Sequence, residues 1–223
     1  SELTVVVTVC DNSDNLDKTL YSLNHQNFQD FEILIASNKQ LHITAKIEKQ
    51  PKVFIFSDVN NIAELINSAL NNVSTRYTSI LPCGDLLLFD GIKTRLDAIT
   101  QNNSVASYGL GFDTNEKNDI IQNDIYEIFY EQKKLPHNGF HNLVKLELFP
   151  AISSLMIDTE VINNLKFNES YKMAYTWDFF IRLFSNYKDI TLINDPVYIS
   201  SSGLNKKSTG EFICFLKETT CIL

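Results

Sequence analysis

The sequence predicts an α/β domain built on a mostly parallel sheet flanked by helices, and three observations carry that expectation. Residues 4–9 form an unbroken, largely β-branched run, the pattern of a strand buried on both faces. Strand-like runs and helical apolar periods then alternate as far as Gly111. Residues 77–89 (YTSILPCGDLLLF) run a strand into a Pro-Cys-Gly-Asp turn, at the edge where open α/β sheets bind ligands.

After the first strand, Asp11-Asn12-Ser13 offers capping side chains, and Leu16, Leu20 and Leu23 recur at helical spacing. Residues 31–36 (FEILIA) make the second buried strand. The length between the two suits a right-handed βαβ crossover, which makes the pair parallel. Their carboxyl ends then share one edge, carrying Cys10, Asp11 and Asn12 from the first and Ser37, Asn38 and Lys39 from the second. Residues 53–56 are a short third strand, and Ile62, Leu65, Ile66, Ala69, Leu70 and Val73 trace the helix that precedes the fourth. Leu88, Ile92, Leu96 and Ile99 mark the next helix, and residues 105–111 a further strand.

From Phe112 to Leu148 the alternation stops, and residues 119–130 follow neither period. His137 and His141 have the spacing of helical metal ligands, but Pro136 and Gly139 predict a loop with exposed histidines. Residues 152–157 read as strand, and 174–184 (AYTWDFFIRLF) as an amphipathic helix with Trp177 as a core anchor. Residues 190–193 and 197–199 read as two short strands about Asp195-Pro196. Residues 1–205 are therefore expected to form one domain. Residues 206–223, with an apolar cluster at Phe212, Ile213, Phe215 and Leu216, form a tail that either docks as a helix or continues into more chain.

Composition narrows the function. The formal charge of -8, with no long Lys/Arg cluster, disfavours nucleic acid and anionic lipid as partners. No apolar run approaches the roughly 20 residues of a membrane span. Cys10, Cys83, Cys214 and Cys221 lack zinc-site spacing and accompany no signal peptide, so the expectation is reduced thiols in the cytoplasm. The Asn-x-Ser triplets at Asn72, Asn102 and Asn168 are read as chance in an Asn-rich and Ser-rich chain.

The motifs, taken in order, resemble the family 2 glycosyltransferases of the GT-A fold over roughly residues 4–205. TVVVTVCDN is similar to that family's first strand ending in Pro-Thr-Tyr-Asn, with Asn12 in place. LNHQNFQDFEILI resembles its Leu-x-x-Gln-Thr-Tyr-x-Asp-Phe-Glu-Ile run through Gln26, Asp30, Phe31 and Glu32. Asn67 and Ala69 fit its Ala-Arg-Asn-x-Gly helix. Tyr77, Leu81 and Asp85 fit the strand entering its acidic metal turn, and TWDFFIRL resembles its late helix through Trp177, Asp178, Arg182 and Leu183. The resemblance implies a GT-A domain with a nucleotide-sugar cleft lined by Asp11, Asn12, Ser37, Asn38, Lys39, Asn67, Cys83 and Asp85.

The departures fall on the chemistry that the resemblance implies. Ser37, Asn38, Lys39 and Gln40 stand where the family has Asp-Asp-Gly-Ser, and Pro82-Cys83-Gly84-Asp85 where it has Asp-x-Asp-Asp, so Asp85 is the one retained metal acid. Tyr175 and Thr176 replace the Glu-Asp pair of the acceptor base, leaving Asp178, turned about 200° away on the helix, as the nearest carboxylate. The leading expectation is a catalytically degenerate domain, a pseudoenzyme without a metal, acting as an interaction or regulatory module of a glycosylation system. Its partner would be a protein, a second copy, a nucleotide sugar or a saccharide. The alternative is an active metal-independent glycosyltransferase whose cations, Lys39 and Arg76, stabilise the diphosphate. Mn²⁺ or Mg²⁺ enters only if transfer is active. A nucleotidyltransferase on a similar fold also needs metal carboxylates and meets the same objection.

Overall fold

The computed structural model describes residues 1–10, 13–114, 119–122, 151–201, 214, 217 and 218. A nine-stranded sheet runs through them. Its first half comprises β1 (Leu3–Val9), β2 (Phe31–Ser37), β3 (Lys52–Ile55) and β4 (Tyr77–Pro82). These four are parallel, with Val9 beside Ser37, Ser37 beside Ile55 and Thr8 beside Pro82, so their carboxyl ends share one edge as expected. The chain winds from β1 outward to β3 and then returns to the other side of β1 as β4. The order of winding reverses there, and the crevice of an open α/β sheet opens at such a point.

Beyond β4 the pairing is mixed. It comprises β5 (Leu86–Leu87), β6 (Ala106–Thr114), β7 (Ile120–Gln122), β8 (Leu155–Asp158) and β9 (Ile190–Ser200). β8 lies antiparallel between β4 and β6, β6 and β9 are parallel, and β5 closes antiparallel onto β9.

Helices α1 (Leu16–Asn24) and α3 (Gly91–Gln101) cover one face of the sheet, where Leu16, Leu20, Leu23, Ile92 and Ile99 meet Val5, Val7, Val9 and Leu81. Helix α2 (Ile62–Leu70) covers the other, setting Leu65 and Ala69 on Val6 and Leu34. Helix α5 (Tyr175–Asn186) packs on the same side through Phe179, Phe180 and Leu183, against Ala63 and Ile66 of α2 and near α4 (Thr159–Leu165). Every residue of β1 is buried, which is why its sequence is apolar and β-branched without alternation. Trp177 is 3% exposed and is the core anchor its helical position predicts. No helix among the described residues is long and apolar enough to cross a membrane.

Three element boundaries differ from expectation. Asp195-Pro196 does not separate two strands. β9 runs through it, with register shifts opposite Gly109 to Gly111 that accommodate the extra residues and the missing proline N–H. Residues 152–154 are a 3₁₀ turn leading into β8. Leu88 precedes α3 and donates its N–H to Val197, so its place in the apolar period comes from this crossing and not from the helix. Residues 123–150, with His137 and His141, and most of the tail lie outside the described residues.

Candidate functional site

The carboxyl ends of β1, β2 and β4 bring together most of the residues proposed for the cleft. Asn38 donates its N–H to Val9 at 3.4 Å and its side-chain amide to the Cys10 thiol at 3.6 Å, which links the ends of β1 and β2. Ser37 is buried beneath them and accepts from the Lys39 N–H at 3.2 Å, while Lys39 itself is exposed. On the other side of β1, Cys83 donates its N–H to Thr8 at 2.9 Å, and Gly84 donates to the Thr19 hydroxyl at 2.9 Å. Burial, first of all, pushes the Cys83 thiol up to about 11, so it is protonated at neutral pH. Asp11 and Asn12 lie outside the described residues.

Asp85 sits at this edge but points inward. It is 1% exposed, and both carboxylate oxygens are occupied, Oδ2 by the Ser153 hydroxyl and Oδ1 by the Ser201 N–H at 2.8 Å and hydroxyl at 3.1 Å. Burial raises its pKa above the ordinary carboxylate value, against the opposing pull of the serine donors. A cation taken at Asp85 would have to displace these donors from an interior position. The neighbouring turn is equally committed. Gly84 has φ +101°, and a Cβ there would lie 2.5 Å from the Ser201 hydroxyl, so an acid placed at 84 needs the turn rebuilt. Among the described residues, no group of three His, Cys, Asp or Glu side chains is arranged to hold a metal ion.

At the start of α5, Tyr175 and Thr176 are half-buried. Burial first, then the negative potential of Asp85 and Cys10, raises the Tyr175 phenol further above its ordinary range. Tyr175 thus lies within electrostatic reach of both. It cannot take up a proton there as a base. Asp178 is 8% exposed and tied to Arg182 by two bonds of 2.9 and 2.6 Å, while Arg182 also caps the end of α4 through the carbonyls of Leu165 and Lys166. It braces two helices and is not a spare carboxylate. Asn67 is likewise internal. Its amide holds both backbone groups of Phe167 and the Glu169 carboxylate, at 2.8 to 2.9 Å. Arg76 precedes β4, at the amino edge of the parallel strands, with its guanidinium 4.9 Å from the Tyr77 ring. This corrects its pairing with Lys39, because the four parallel strands put the two cations at opposite edges.

By sequence, no family model and no characterised protein matches the chain. By structure it matches TarS of S. aureus, a family 2 glycosyltransferase. Against TarS 1–349 in complex with UDP the TM-score is 0.69 at 15% identity, covering 100% of this chain and 65% of that one. Against the complex with UDP-GlcNAc it is 0.69 at 14% identity, covering 95% and 61%. Against a longer TarS structure it is 0.64 at 14% identity, covering 99% of this chain and 39% of that one. The chain has the GT-A-like glycosyltransferase fold. It spans less than two thirds of the TarS chains it matches.

Several residues that shape this GT-A-like edge were not visible in the sequence. Ser153 and Ser201 satisfy Asp85 from 68 and 116 residues away, a separation that leaves no local pattern. Arg95, fully buried in α3, bonds the carbonyls of Ser153 and Leu155 and the Ser79 hydroxyl, so it supports the turn that supports Asp85. Its burial lowers its pKa to about 9. Glu218 accepts from the N–H groups of Lys172, Met173 and Ala174, each at 2.8 Å, directly before α5.

Proposed function

We propose that this chain is a GT-A-like domain without transfer chemistry, a pseudoenzyme that serves as a binding module of a glycosylation system. The observation that carries the reading is Asp85, whose carboxylate is consumed by Ser153 and Ser201 in the interior. Sugar transfer from a diphosphate donor needs charge stabilisation at the leaving group and a base at the acceptor. On this reading the first is missing because Asp85 is consumed in the interior and, among the described residues, no group of three His, Cys, Asp or Glu side chains is arranged to hold a metal. The second is missing because Tyr175 stays protonated and Asp178 is bound to Arg182. The metal-independent alternative loses one of its two cations, since Arg76 lies at the far edge. What remains is the edge that carries Asn38, Lys39 and Cys83. Its position on the fold makes a uridine nucleotide or nucleotide sugar the first class to test, as TarS 1–349 is solved with UDP and UDP-GlcNAc. A protein partner or a second copy would supply the module's wider role.

The test is calorimetric titration with UDP, UDP-GlcNAc and a panel of other nucleotide sugars, with and without Mn²⁺, alongside a product assay. Binding that does not depend on Mn²⁺, with no turnover of any donor, is the expected result. Turnover that disappears in Asp85→Asn would overturn the proposal.

A further inference from the structure

We propose that Glu218 is an intramolecular latch that holds the start of α5 closed over the β1/β4 crevice. Its carboxylate reaches back more than 40 residues to three consecutive backbone amides, Lys172 on Oε1 and Met173 and Ala174 on Oε2, all at 2.8 Å. Bonds from amide donors to an ionised carboxylate are among the strong ones. Helix α5 has no side-chain cap of its own at Ala174, so this carboxylate also supplies the negative charge that a helix start favours. Burial raises the Glu218 pKa and the amide donors lower it by more, so it is ionised at neutral pH.

The surroundings decide what the latch controls. Upstream, the connection from α4 is fixed by Asn67 at Phe167 and Glu169, and by Asn61 at the Glu169 carbonyl. Downstream, α5 is fixed by Phe179, Phe180 and Leu183 in the core and by Arg182 across to α4. Between these two fixed regions lie residues 172–174, and Glu218 is the acceptor their amides share. The next residue is Tyr175, which lies within electrostatic reach of Cys10 and Asp85 and stacks edge-on with Phe167 at 6.0 Å. The chain leaving β9 is also fastened here, since Ser201 is held by Asp85. The residues after the sheet are thus tied at two places that both border Tyr175. Releasing Glu218 frees the first turn of α5 while the rest of the helix stays packed, and Tyr175 moves with that turn, away from the edge that carries Cys10 and Asp85. The latch governs access and stands whether or not the crevice takes a nucleotide.

The experiment compares wild-type protein with Glu218→Ala and Glu218→Gln. It measures amide exchange at residues 172–174 and the rate at which a maleimide labels Cys10, resolved by peptide mass spectrometry from the other cysteines. In Glu218→Ala both rates should rise, by about tenfold or more if the lost bonds carry the usual weight of charged ones. Glu218→Gln, which keeps one acceptor oxygen, should fall between. Far-ultraviolet circular dichroism and unchanged amide exchange along β1 and β2 confirm that the alanine variant has opened only locally. Amides 172–174 that already exchange freely in the wild type would overturn the contact. Faster exchange with Cys10 labelling unchanged would overturn the control of access, and faster exchange throughout β1 and β2 would mark global loosening and overturn it equally.

Discussion

Asn67→Ala separates a scaffold role from a cleft role at a residue that the family resemblance assigns to the cleft. The side chain is 5% exposed and makes three bonds: Oδ1 from the Phe167 N–H at 2.9 Å, and Nδ2 to the Phe167 carbonyl and Glu169 Oε1 at 2.8 Å. Truncation leaves the N–H and the carbonyl of buried Phe167 without partners, at about 1–3 kcal/mol each. Water entering from the Glu169 side recovers part of that, so a net loss of about 3 kcal/mol is expected. The Phe167 ring stacks on Phe179 at 4.4 Å, and a shift at Phe167 would be felt in the cluster under α5. Urea denaturation should show a lowered midpoint at unchanged slope. Affinity for UDP, measured where both proteins are fully folded, should not change. A stability loss under about 1 kcal/mol together with lost UDP binding would refute this reasoning and return Asn67 to the crevice.

Three further substitutions test the scaffold. Asp85→Asn should remove a pH dependence: with its folded pKa raised above the unfolded value, Asp85 binds its proton more tightly when folded, so wild-type stability falls as pH rises from the ordinary carboxylate range through the raised pKa. Urea midpoints of the two proteins should therefore diverge in favour of Asn as pH rises above the ordinary carboxylate range. Gln26→Ala cuts the side chain that bonds the Leu88 carbonyl at 2.7 Å and the Ile92 N–H at 3.1 Å, and should cost about 2 kcal/mol by thermal unfolding. Gly111→Ala puts a Cβ 2.2 Å from the Tyr198 ring on the paired strand, and a loss of about 2 kcal/mol or more in the same assay is expected.

What the sequence displays is periodicity, and periodicity made the first half of the fold legible. The buried run of β1, the Leu16-Leu20-Leu23 stripe and the shared edge of β1, β2 and β4 all follow from local pattern. Residues 38–51 show where such reading stops. Leu41, Ile43, Ala45 and Ile47 alternate as in a strand, yet they pair with no strand and lie against the α1 face of the core. Asp17 holds the segment there at Thr44 and Ala45, and Asn24 at Lys46 and Glu48. The alternation was a usable signal for an extended segment with one buried side. The turn signal of Asp195-Pro196 misled for the opposite reason, because two glycines on β6 leave room for a bulge that a break would otherwise need. The polar ties were out of reach altogether, since Asn67 acts across 100 residues and Asp85 across 116.

These ties explain how a fold and its chemistry can separate. Gln26, Asn67, Asp85 and Asp178, which fit the glycosyltransferase pattern, are buried here and fully engaged in holding segments together. Removing any one strands a buried polar group, so folding alone is reason enough to keep them. Of the positions where the pattern departs, Ser37 is buried, but Asn38, Lys39, Cys83, Tyr175 and Thr176 are half-buried or exposed, and the scaffold places weaker demands on these five. On the proposed reading, a chain freed from catalysis would change at such positions first and still fold. Gly84 adds a barrier to return. Its positive φ and its contact with Ser201 mean that an acid there would have to displace the same serine that now satisfies Asp85, so a metal turn would not be recovered by one substitution.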